Sequence, residues 1–510
     1  MSSGFLTSNG FIVPRVTLQS ILKTKYGDFL RKLVLVYRPK IGMEKRMELY
    51  DEVTINGKVC LRLPRTMIKS CLEYKILNKV DVILGPAKKI AVELNHEPFD
   101  NQKILVNYLL ENVFTQARID DGTAAAILNL RAGMGKTYVA GGIIKELKLR
   151  TLYIVNKRPL MMQAVKDLRA MFYPDDDGEI ICPVYAYGSE KKRDPLSKLE
   201  NHSVTVIVVD SALRRDDDFF RQYSFIIYDE VHSYCTQLRK KIFNKCTHAA
   251  LGMSATTEDR TDGFDPAAHK ELAFDGIIRA EEIPGFGYDN VTFDCHAKVL
   301  DYSGPAEHTQ NLTHESTGNV FVHYMHNQFL RDPYRLKLAV DEIIELYDWR
   351  GPNGEFHCLY LFGEEIELLK IALNAINEEL AKRNRDDIAN NIEVPELGLE
   401  MFTGGLKDDK IADISKNGRI LASTYSYAST GISILRMSCI VFLTPRKAQM
   451  KQCLARVLRR GSDLNIPRVV VDIVDKKTCL ARQFGARLAA YNHYGFEIDR
   501  IKVKYTDIKL

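Results

Sequence analysis

The sequence predicts an α/β protein with two parallel-sheet domains in tandem, preceded by a smaller mixed α/β domain. Three observations support this prediction. From about residue 96, short apolar runs alternate with helix-length segments, which is typical of a parallel sheet covered by helices on both faces. The alternation breaks into a loop-rich connection around residues 264–318 and resumes at residue 358. The first 95 residues differ from the rest in pattern and in charge.

These changes predict four segments along the chain. Residues 1–95 form an accessory domain, residues 96–285 the first parallel-sheet domain and residues 286–335 a connection. Residues 336–510 form the second parallel-sheet domain, with a C-terminal extension that reads as a helix followed by a short strand. The predicted strands of the two larger domains are residues 124–129, 151–155, 204–209, 225–228, 249–253, 358–362, 420–424, 440–443 and 469–473.

The N-terminal segment carries the positive charge of the chain. Residues 1–95 hold 17 Lys or Arg and 8 Asp or Glu, a net charge of +9, whereas the whole chain has +5 and the remainder therefore −4. Strands are predicted at residues 33–37 and 59–63, with a hairpin turn at Asn56-Gly57. The basic residues predict a surface for nucleic-acid phosphates. The alternatives are a solvated basic face, or a segment that docks on the negatively charged remainder of the chain and never meets nucleic acid.

Composition excludes several classes of protein. No apolar run approaches the length of a transmembrane helix, and the first residues lack the pattern of a signal peptide. Ten cysteines without a CxxC pair favour a reducing compartment and argue against a cysteine-based zinc site.

The strongest local motif is the glycine-rich segment Gly133–Thr137, which follows an apolar run and opens a helical pattern. Glycines let backbone N–H groups face a phosphate at a helix N-terminus. Lys136 would reach the β- and γ-phosphates, and the Thr137 hydroxyl would hold Mg²⁺. Leu130 stands where the general pattern has glycine. The predicted phosphate-binding residues are Arg131, Ala132, Gly133, Met134, Gly135, Lys136 and Thr137.

A second motif places two carboxylates after an apolar strand. We expect Asp229 to bind the metal ion and Glu230 to polarise the attacking water, while His232 alone would more often be structural. A third segment, Ser254-Ala255-Thr256, follows the next strand, where its small hydroxyls can bond to the region of Asp229. Together these elements predict nucleotide hydrolysis.

The fourth motif is a group of cationic side chains near residue 456. On a helix, Gln452, Arg456 and Arg459 would lie on one face. Like charges repel, so this arrangement suits an anion delivered from elsewhere, as an arginine finger suits a γ-phosphate. The alternative is a basic, solvated helix face.

In this order and spacing, the four motifs resemble those of superfamily 2 helicases of the DExH type. Gly133–Thr137 resembles the family's first motif, with Leu130 in place of Ala, and Asp229–His232 is a DEVH form of the second. Ser254–Thr256 matches the SAT motif, and Gln452–Arg459 matches QxxGRxxR with Ala455 in place of Gly. Weaker matches agree with these. Gln102 stands where a family Gln reads adenine, and Thr403-Gly404-Gly405 resembles a nucleic-acid contact. The others are Leu160 with Gln163, Thr430-Gly431 with Ser433 in place of Asp, and Arg260-x-Asp262-Gly263.

Within the superfamily, the chain looks like the transcript-release DNA helicases of poxviruses and their large-DNA-virus relatives. This resemblance implies two RecA-like domains, ATP with Mg²⁺ and a 3′→5′ motor in late viral transcription. It implies DNA, RNA or an RNA–DNA hybrid as track, an RNA polymerase or transcription complex as partner and no membrane. It also implies an intracellular location, in the viral factory of the host cytoplasm or in the virion. Gly431 would contact ATP, while Ser254, Thr256, Thr403, Gly404, Gly405 and Thr430 would contact nucleic acid or couple the domains.

Other interpretations explain less of the sequence. A P-loop kinase would lack a second α/β unit ending in arginines, and a binding module without hydrolysis would not need Lys136, Glu230 and Arg456 together. Strand separation and translocation without unwinding both remain open, as does RNA as the substrate. Four histidines between His308 and His326 fit no standard metal spacing, and a polar surface is the alternative there.

Overall fold

The computed structural model confirms the predicted architecture. It describes residues 3–38, 43–94, 98–131, 133–172, 184–187, 202–257, 260, 262–287, 293–313, 318, 320–389, 398–403, 406, 408–428, 434–459 and 462–510. The chain divides into two compact units, Met1–Asp289 and Asn290–Leu510. The first contains a mixed sheet and a seven-stranded parallel sheet, and the second contains another seven-stranded parallel sheet. In the described residues, no helix is both long and apolar enough to cross a bilayer.

The N-terminal domain is mixed α/β. Its elements are β1 (Ser3–Thr7), β2 (Gly10–Pro14), α1 (Arg15–Leu22), α2 (Tyr26–Arg31), β3 (Val34–Tyr37), β4 (Lys45–Glu48), β5 (Asp51–Ile55), β6 (Lys58–Leu63), α3 (Met67–Glu73) and β7 (Lys79–Ile83). Five strands form one sheet in the order β5-β6-β2-β1-β7, and β3 and β4 form a separate antiparallel hairpin.

The predicted turn at Asn56-Gly57 joins β5 to β6. Asn56 has φ 51° and Gly57 has φ 74°, so both central residues lie in the left-handed region. This is the conformation of a two-residue type I′ hairpin, in which Ile55 pairs with Lys58. The Asn-Gly dipeptide therefore sets the register between the edge strand β5 and its neighbour β6.

The N-terminal domain packs tightly against the parallel sheet that follows it. Arg65, only 2% exposed, donates from Nε to the Gly122 carbonyl at 2.8 Å and from Nη2 to the His248 carbonyl at 3.2 Å. Its backbone N–H donates to the Glu271 carboxylate at 3.0 Å. Met47 of the hairpin is completely buried in the core of the neighbouring domain. The structure therefore has the docked arrangement that the sequence left open, although much of the basic surface remains exposed.

We expect Arg65→Ala to destabilise the full chain by about 3 kcal/mol, because the buried Gly122 carbonyl and the partly buried His248 carbonyl would lose their donor. The matched control is Lys69→Ala in the same domain. Lys69 pairs with Asp275 at 3.2 Å, but both side chains are half exposed, so its loss should cost less than about 1 kcal/mol. Urea unfolding of both variants measures the difference. Equal free energies of unfolding would contradict the docking role of Arg65.

The first parallel sheet has the strand order β10-β11-β9-β12-β13-β8-β14, with helices on both faces. Two apolar cores cover its faces. The elements are α4 (Asp100–Asn112), α5 (Gln116–Asp120), β8 (Ala125–Asn129), α6 (Lys136–Leu147), β9 (Thr151–Val155), α7 (Arg158–Met171), β10 (Val184–Ala186), β11 (Val204–Val208), α8 (Val209–Ala212), α9 (Asp217–Phe220), β12 (Phe225–Asp229), β13 (Ala249–Ser254), α10 (Pro266–Leu272) and β14 (Ile277–Arg279).

The second parallel sheet has the order β17-β18-β16-β19-β20-β15-β21 and is likewise covered on both faces. Its elements are β15 (Cys295–Ser303), α11 (Ala306–Thr309), α12 (Val322–Arg331), α13 (Pro333–Asp348), β16 (Leu359–Gly363), α14 (Ile366–Ala389), β17 (Leu399–Met401), α15 (Asp408–Asn417), β18 (Ile420–Thr424), α16 (Tyr425–Ala428), β19 (Cys439–Phe442), α17 (Met450–Leu454), β20 (Arg468–Asp475), α18 (Phe484–Tyr494) and β21 (Glu497–Lys504).

The structure differs from the sequence-based segmentation at β15. This nine-residue strand lies within the segment predicted as a connection, yet it pairs in parallel with β20 and β21 inside the second sheet. Polar side chains such as Lys298, which pairs with Glu342 at 2.7 Å, interrupt the apolar run. Its strand partners lie far along the chain, so no local pattern indicated the pairing.

Candidate active site

The loop between β8 and α6 is shaped around two glycines. Gly133 has φ 84° and Gly135 has φ 76°, and Gly135 immediately precedes the first turn of α6. A Cβ atom at Gly135 would lie 2.2 Å from the Gln102 amide nitrogen, and the left-handed backbone at this position favours glycine. Leu130, which departs from the general pattern, is completely buried in the apolar core. The loop therefore keeps the backbone that phosphate binding needs, while Leu130 serves packing.

Gln102 lies against this loop. It is 5% exposed on α4, accepts a hydrogen bond from the Phe99 N–H at 3.1 Å and donates to the Met134 carbonyl at 3.4 Å. Both ends of its amide thus engage the protein and support the loop. Its role in reading adenine remains a prediction. Arg131 is also placed in the loop, whereas Ala132 lies outside the described residues.

The loop lysine meets the carboxylates that follow β12. Lys136 Nζ lies 2.7 Å from Glu230 Oε1. Glu230 has φ 50° and ψ 53°, a left-handed conformation that costs a residue with a side chain about 1–3 kcal/mol. Its backbone N–H donates to Asp229 Oδ1 at 3.1 Å. The ends of β8 and β12 therefore bring Lys136 and the two acids to one edge of the sheet, with the catalytic candidate in the strained position.

The two carboxylates differ in their titration. Burial raises the pKa of Asp229, and the neighbouring Glu230 carboxylate raises it further, to about 7. Burial acts in the same direction on Glu230, but the charges of Lys136 and His232 outweigh it and lower the pKa of Glu230 to about 2. Glu230 is thus ionised at neutral pH, the state that a general base requires.

The donor set at this edge fits a hard divalent cation. Burial raises the pKa of the Tyr153 phenol, and the Asp229 charge raises it further, whereas the Thr137 hydroxyl lowers it. Asp229 and Thr137 therefore both lie near Tyr153. Carboxylate and hydroxyl oxygens suit Mg²⁺ beside substrate phosphates. Asp229, desolvated next to a second carboxylate, would have its ionised form stabilised by such an ion.

The small-residue segment after β13 contacts the acid directly. Ser254 Oγ donates to Glu230 Oε2 at 3.2 Å and lies 2.7 Å from His232 Nδ1. The Thr256 N–H donates to the same hydroxyl at 3.0 Å, and the Ser254 carbonyl accepts from the Leu130 N–H. Ser254 therefore connects the phosphate loop, Glu230 and His232, as the small hydroxyls were predicted to do.

The sequence analysis gave too small a role to some residues that contact the site. His232 was expected to be structural, but it lies 3.5 Å from Glu230 Oε2 through Nδ1. Arg260, noted only through the resemblance, donates to the His232 carbonyl at 3.0 Å and pairs with Asp262. Tyr234 lies beneath the site and donates to the Asp229 carbonyl at 2.7 Å. The place of His232 in the DEVH segment was a usable signal for its contact, whereas no sequence signal indicated the contacts of Arg260 and Tyr234.

The second unit holds the arginine group in a different local structure from the one expected. The helix α17 ends at Leu454. A turn follows through Ala455–Val457, where each backbone N–H donates to a carbonyl three or four residues earlier in the chain. Arg456 is 6% exposed and Arg459 is half-buried, while Gln452 lies on α17. A single helical face for all three is therefore wrong. Burial raises the pKa of the Tyr360 phenol to about 12, and the charges of Arg456 and Arg459 act against it, so both arginines lie near this ring.

The remaining predicted residues are only partly described. Thr403 is half-buried just after β17, whereas Gly404, Gly405, Thr430, Gly431 and Ser433 lie outside the described residues. In the histidine cluster, His326 is buried, and His314 and the His323 side chain are outside the description. No group of three or more His, Cys, Asp or Glu side chains in the described part of the chain could hold a metal ion.

Comparison with known proteins gives a consistent picture. Residues 95–259 match the family described as the res subunit of type III restriction enzymes. The African swine fever virus protein QP509L, whose name describes an ATP-dependent RNA helicase, is 27% identical over 499 residues, covering 96% of this chain and 91% of the viral protein. A mimivirus protein of similar name, L396 of Acanthamoeba polyphaga mimivirus, is 27% identical over 399 residues, covering 74% of this chain and 67% of its own length.

Two solved structures support the fold. Mss116p bound to single-stranded RNA and AMP-PNP is 12% identical, with a TM-score of 0.50 over 80% of this chain and 77% of its own. The restriction-modification enzyme LlaBIII bound to DNA is 15% identical, with a TM-score of 0.50 over 80% of this chain and 32% of its own. Together with the family match, the viral relatives confirm the predicted resemblance to viral helicases. The chain is an ATP-hydrolysing helicase.

Proposed function

We propose that the chain is a DNA-dependent ATPase and 3′→5′ helicase that acts in viral transcription and releases transcripts. The contact of Lys136 with Glu230 at 2.7 Å carries the ATPase part of this proposal. It joins the residue type that binds a γ-phosphate to an ionised carboxylate that can orient water. We further propose a host-cytoplasmic or virion location and an RNA polymerase or transcription complex as partner, which the resemblance of the motifs implies.

In this proposal ATP is the substrate, and its phosphates lie along the backbone of Gly133–Thr137. Thr137 and Asp229 would hold Mg²⁺, which supplies charge neutralisation to the phosphates when bound. Lys136 would leave Glu230 for the phosphates, and Glu230 would then be available to orient and deprotonate the attacking water. Ser254 and His232 hold the Glu230 carboxylate in place.

RNA is the second candidate track, because the names of QP509L and L396 both describe RNA helicases. The proposal is tested by measuring the ATPase rate with single-stranded DNA, duplex DNA and RNA as competing stimulators. DNA should stimulate most. Stimulation by RNA alone would replace the DNA helicase with an RNA helicase.

A forked-duplex unwinding assay, run beside a transcript-release assay, distinguishes a motor that separates strands from one that translocates without unwinding. Release without unwinding would support a translocase that remodels polymerase or RNA–DNA hybrids. Absence of stimulation by every nucleic acid would contradict the whole proposal.

A further inference from the structure

The β3–β4 hairpin presents a basic surface to solvent. The side chains of Arg38 and Arg46 are 80% and 70% exposed and share one carboxylate, Glu44, at 2.7 and 2.6 Å. Lys45 is exposed between them in sequence and has no ion pair within the described ranges. With Glu48 also exposed, the described residues of the hairpin hold three cations and two carboxylates, a net charge of +1.

Exposed apolar side chains lie among these cations. Met43 is 90% exposed, Val36 is 47% exposed and Leu238 is 64% exposed. Val36 is the cross-strand partner of Arg46, and Gln237, the neighbour of Leu238, donates to the Arg46 carbonyl. Arg38 and Arg46 are paired with Glu44, and these exposed cations lie beside large exposed apolar side chains. Such a surface fits a ligand with both anionic and apolar parts.

The hairpin is fixed to the first parallel sheet rather than mobile upon it. Leu35 packs against the core in which Met47 is buried, and the Tyr37 ring meets the Phe264 ring edge-on at 6.5 Å. Lys240 donates to the Glu48 carbonyl. Movement of this part of the sheet would therefore move the hairpin with it.

The same contacts reach the sheet edge that holds the ATP-site residues. Arg239, next to Lys240, donates to Asn156 at 2.6 Å and to both Asp210 oxygens at 2.9 and 2.7 Å. Asn156 follows β9, and Asp210 lies just after β11, at the carboxyl ends of these strands. Since Lys136 and Glu230 lie at the same edge of the sheet, the hairpin is connected to it through Arg239 and Lys240.

We propose that this hairpin surface grips a nucleic-acid strand beside the motor, which rests on the proposed function. The cations would contact phosphates of DNA or RNA, and the apolar side chains would lie against sugars and bases at the end of a duplex. The hairpin surface consists of Val36, Arg38, Met43, Lys45, Arg46 and Leu238.

The test uses the full chain, because deletion of the N-terminal domain would expose the core around Met47. The variant Lys45→Ala with Arg46→Ala removes two cations, and Lys23→Ala with Lys25→Ala is the matched control in the same domain. Lys23 and Lys25 are exposed and make no ion pair in the described structure. Melting temperatures check that all variants fold.

Binding of a forked DNA duplex and of an RNA duplex of the same sequence is measured over a series of salt concentrations. The hairpin variant should bind about tenfold more weakly, with a slope of log K against log salt shallower by about 1.8 for DNA. The control should keep both values, and Met43→Ala should keep the slope but unwind the fork more slowly. The DNA and RNA arms identify which nucleic acid the surface takes.

An unchanged slope in the hairpin variant with both nucleic acids would overturn the proposal. Equal loss in the Lys23 and Lys25 control would overturn it too, since the attraction would then be general. Failure of the proposed function is distinct, because it appears in the unmodified chain as an ATPase that no nucleic acid stimulates.

Discussion

Glu230→Gln should still bind ATP but hydrolyse it about 10²–10⁴-fold more slowly. The amide keeps the size of the carboxylate and its reach to Ser254, but it cannot accept a proton from water. It also removes the charge that holds Lys136, so ATP affinity should be maintained or rise. Equilibrium binding of a fluorescent ATP analogue and single-turnover hydrolysis measure the two steps separately.

Lys136→Ala is the contrasting variant, because it should lose both binding and turnover. It removes the cation for the phosphates and leaves the Glu230 carboxylate without its 2.7 Å partner. The pair of variants therefore distinguishes a catalytic base from a binding lysine. Hydrolysis at the normal rate by Glu230→Gln would show that its assignment as the general base is wrong.

Arg456→Ala should reduce kcat by about 10³-fold while changing the KM for ATP much less, because an arginine finger acts on charge that develops in the transition state. We expect Arg456 and Arg459 to act on the γ-phosphate of ATP. Steady-state ATPase kinetics with saturating nucleic acid measure the two constants.

Arg456 is buried, so its variant needs a control for folding. Arg456→Lys keeps the charge but loses the planar fork, and it should also be slow in turnover while melting close to the unmodified protein. Turnover restored by lysine would indicate simple charge compensation. A closed structure with a transition-state analogue that leaves both arginines far from Lys136 would contradict the finger.

The strands of the two parallel sheets could be predicted where they are local apolar runs. The sequence placed residues 151–155 and 420–424 at the bounds that the structure has. The strand β15 was not predicted, because its burial depends on partner strands far along the chain. The three-residue strands β10 and β14 are too short for a periodic signal.

The site shows the same division. The spacing of Gly133–Thr137 and the acids after β12 predicted which groups meet, because carboxyl ends of parallel strands share one edge. The left-handed backbone of Glu230 and the bond from Arg260 to the His232 carbonyl depend on tertiary contacts, which no spacing records. The prediction of a helix around Arg456 was wrong, because the helix ends at Leu454 and the chain turns there.

The docking of Arg65 has a consequence for synthesis of the chain. Its backbone bonds to Glu271, 206 residues later, and the core beneath the N-terminal sheet includes Cys246 and packs against Phe274. The ribosome releases the N-terminal domain first, long before these partners exist. Its apolar face therefore stays uncovered while nearly two hundred further residues are translated, an interval in which a chaperone would bind the nascent chain.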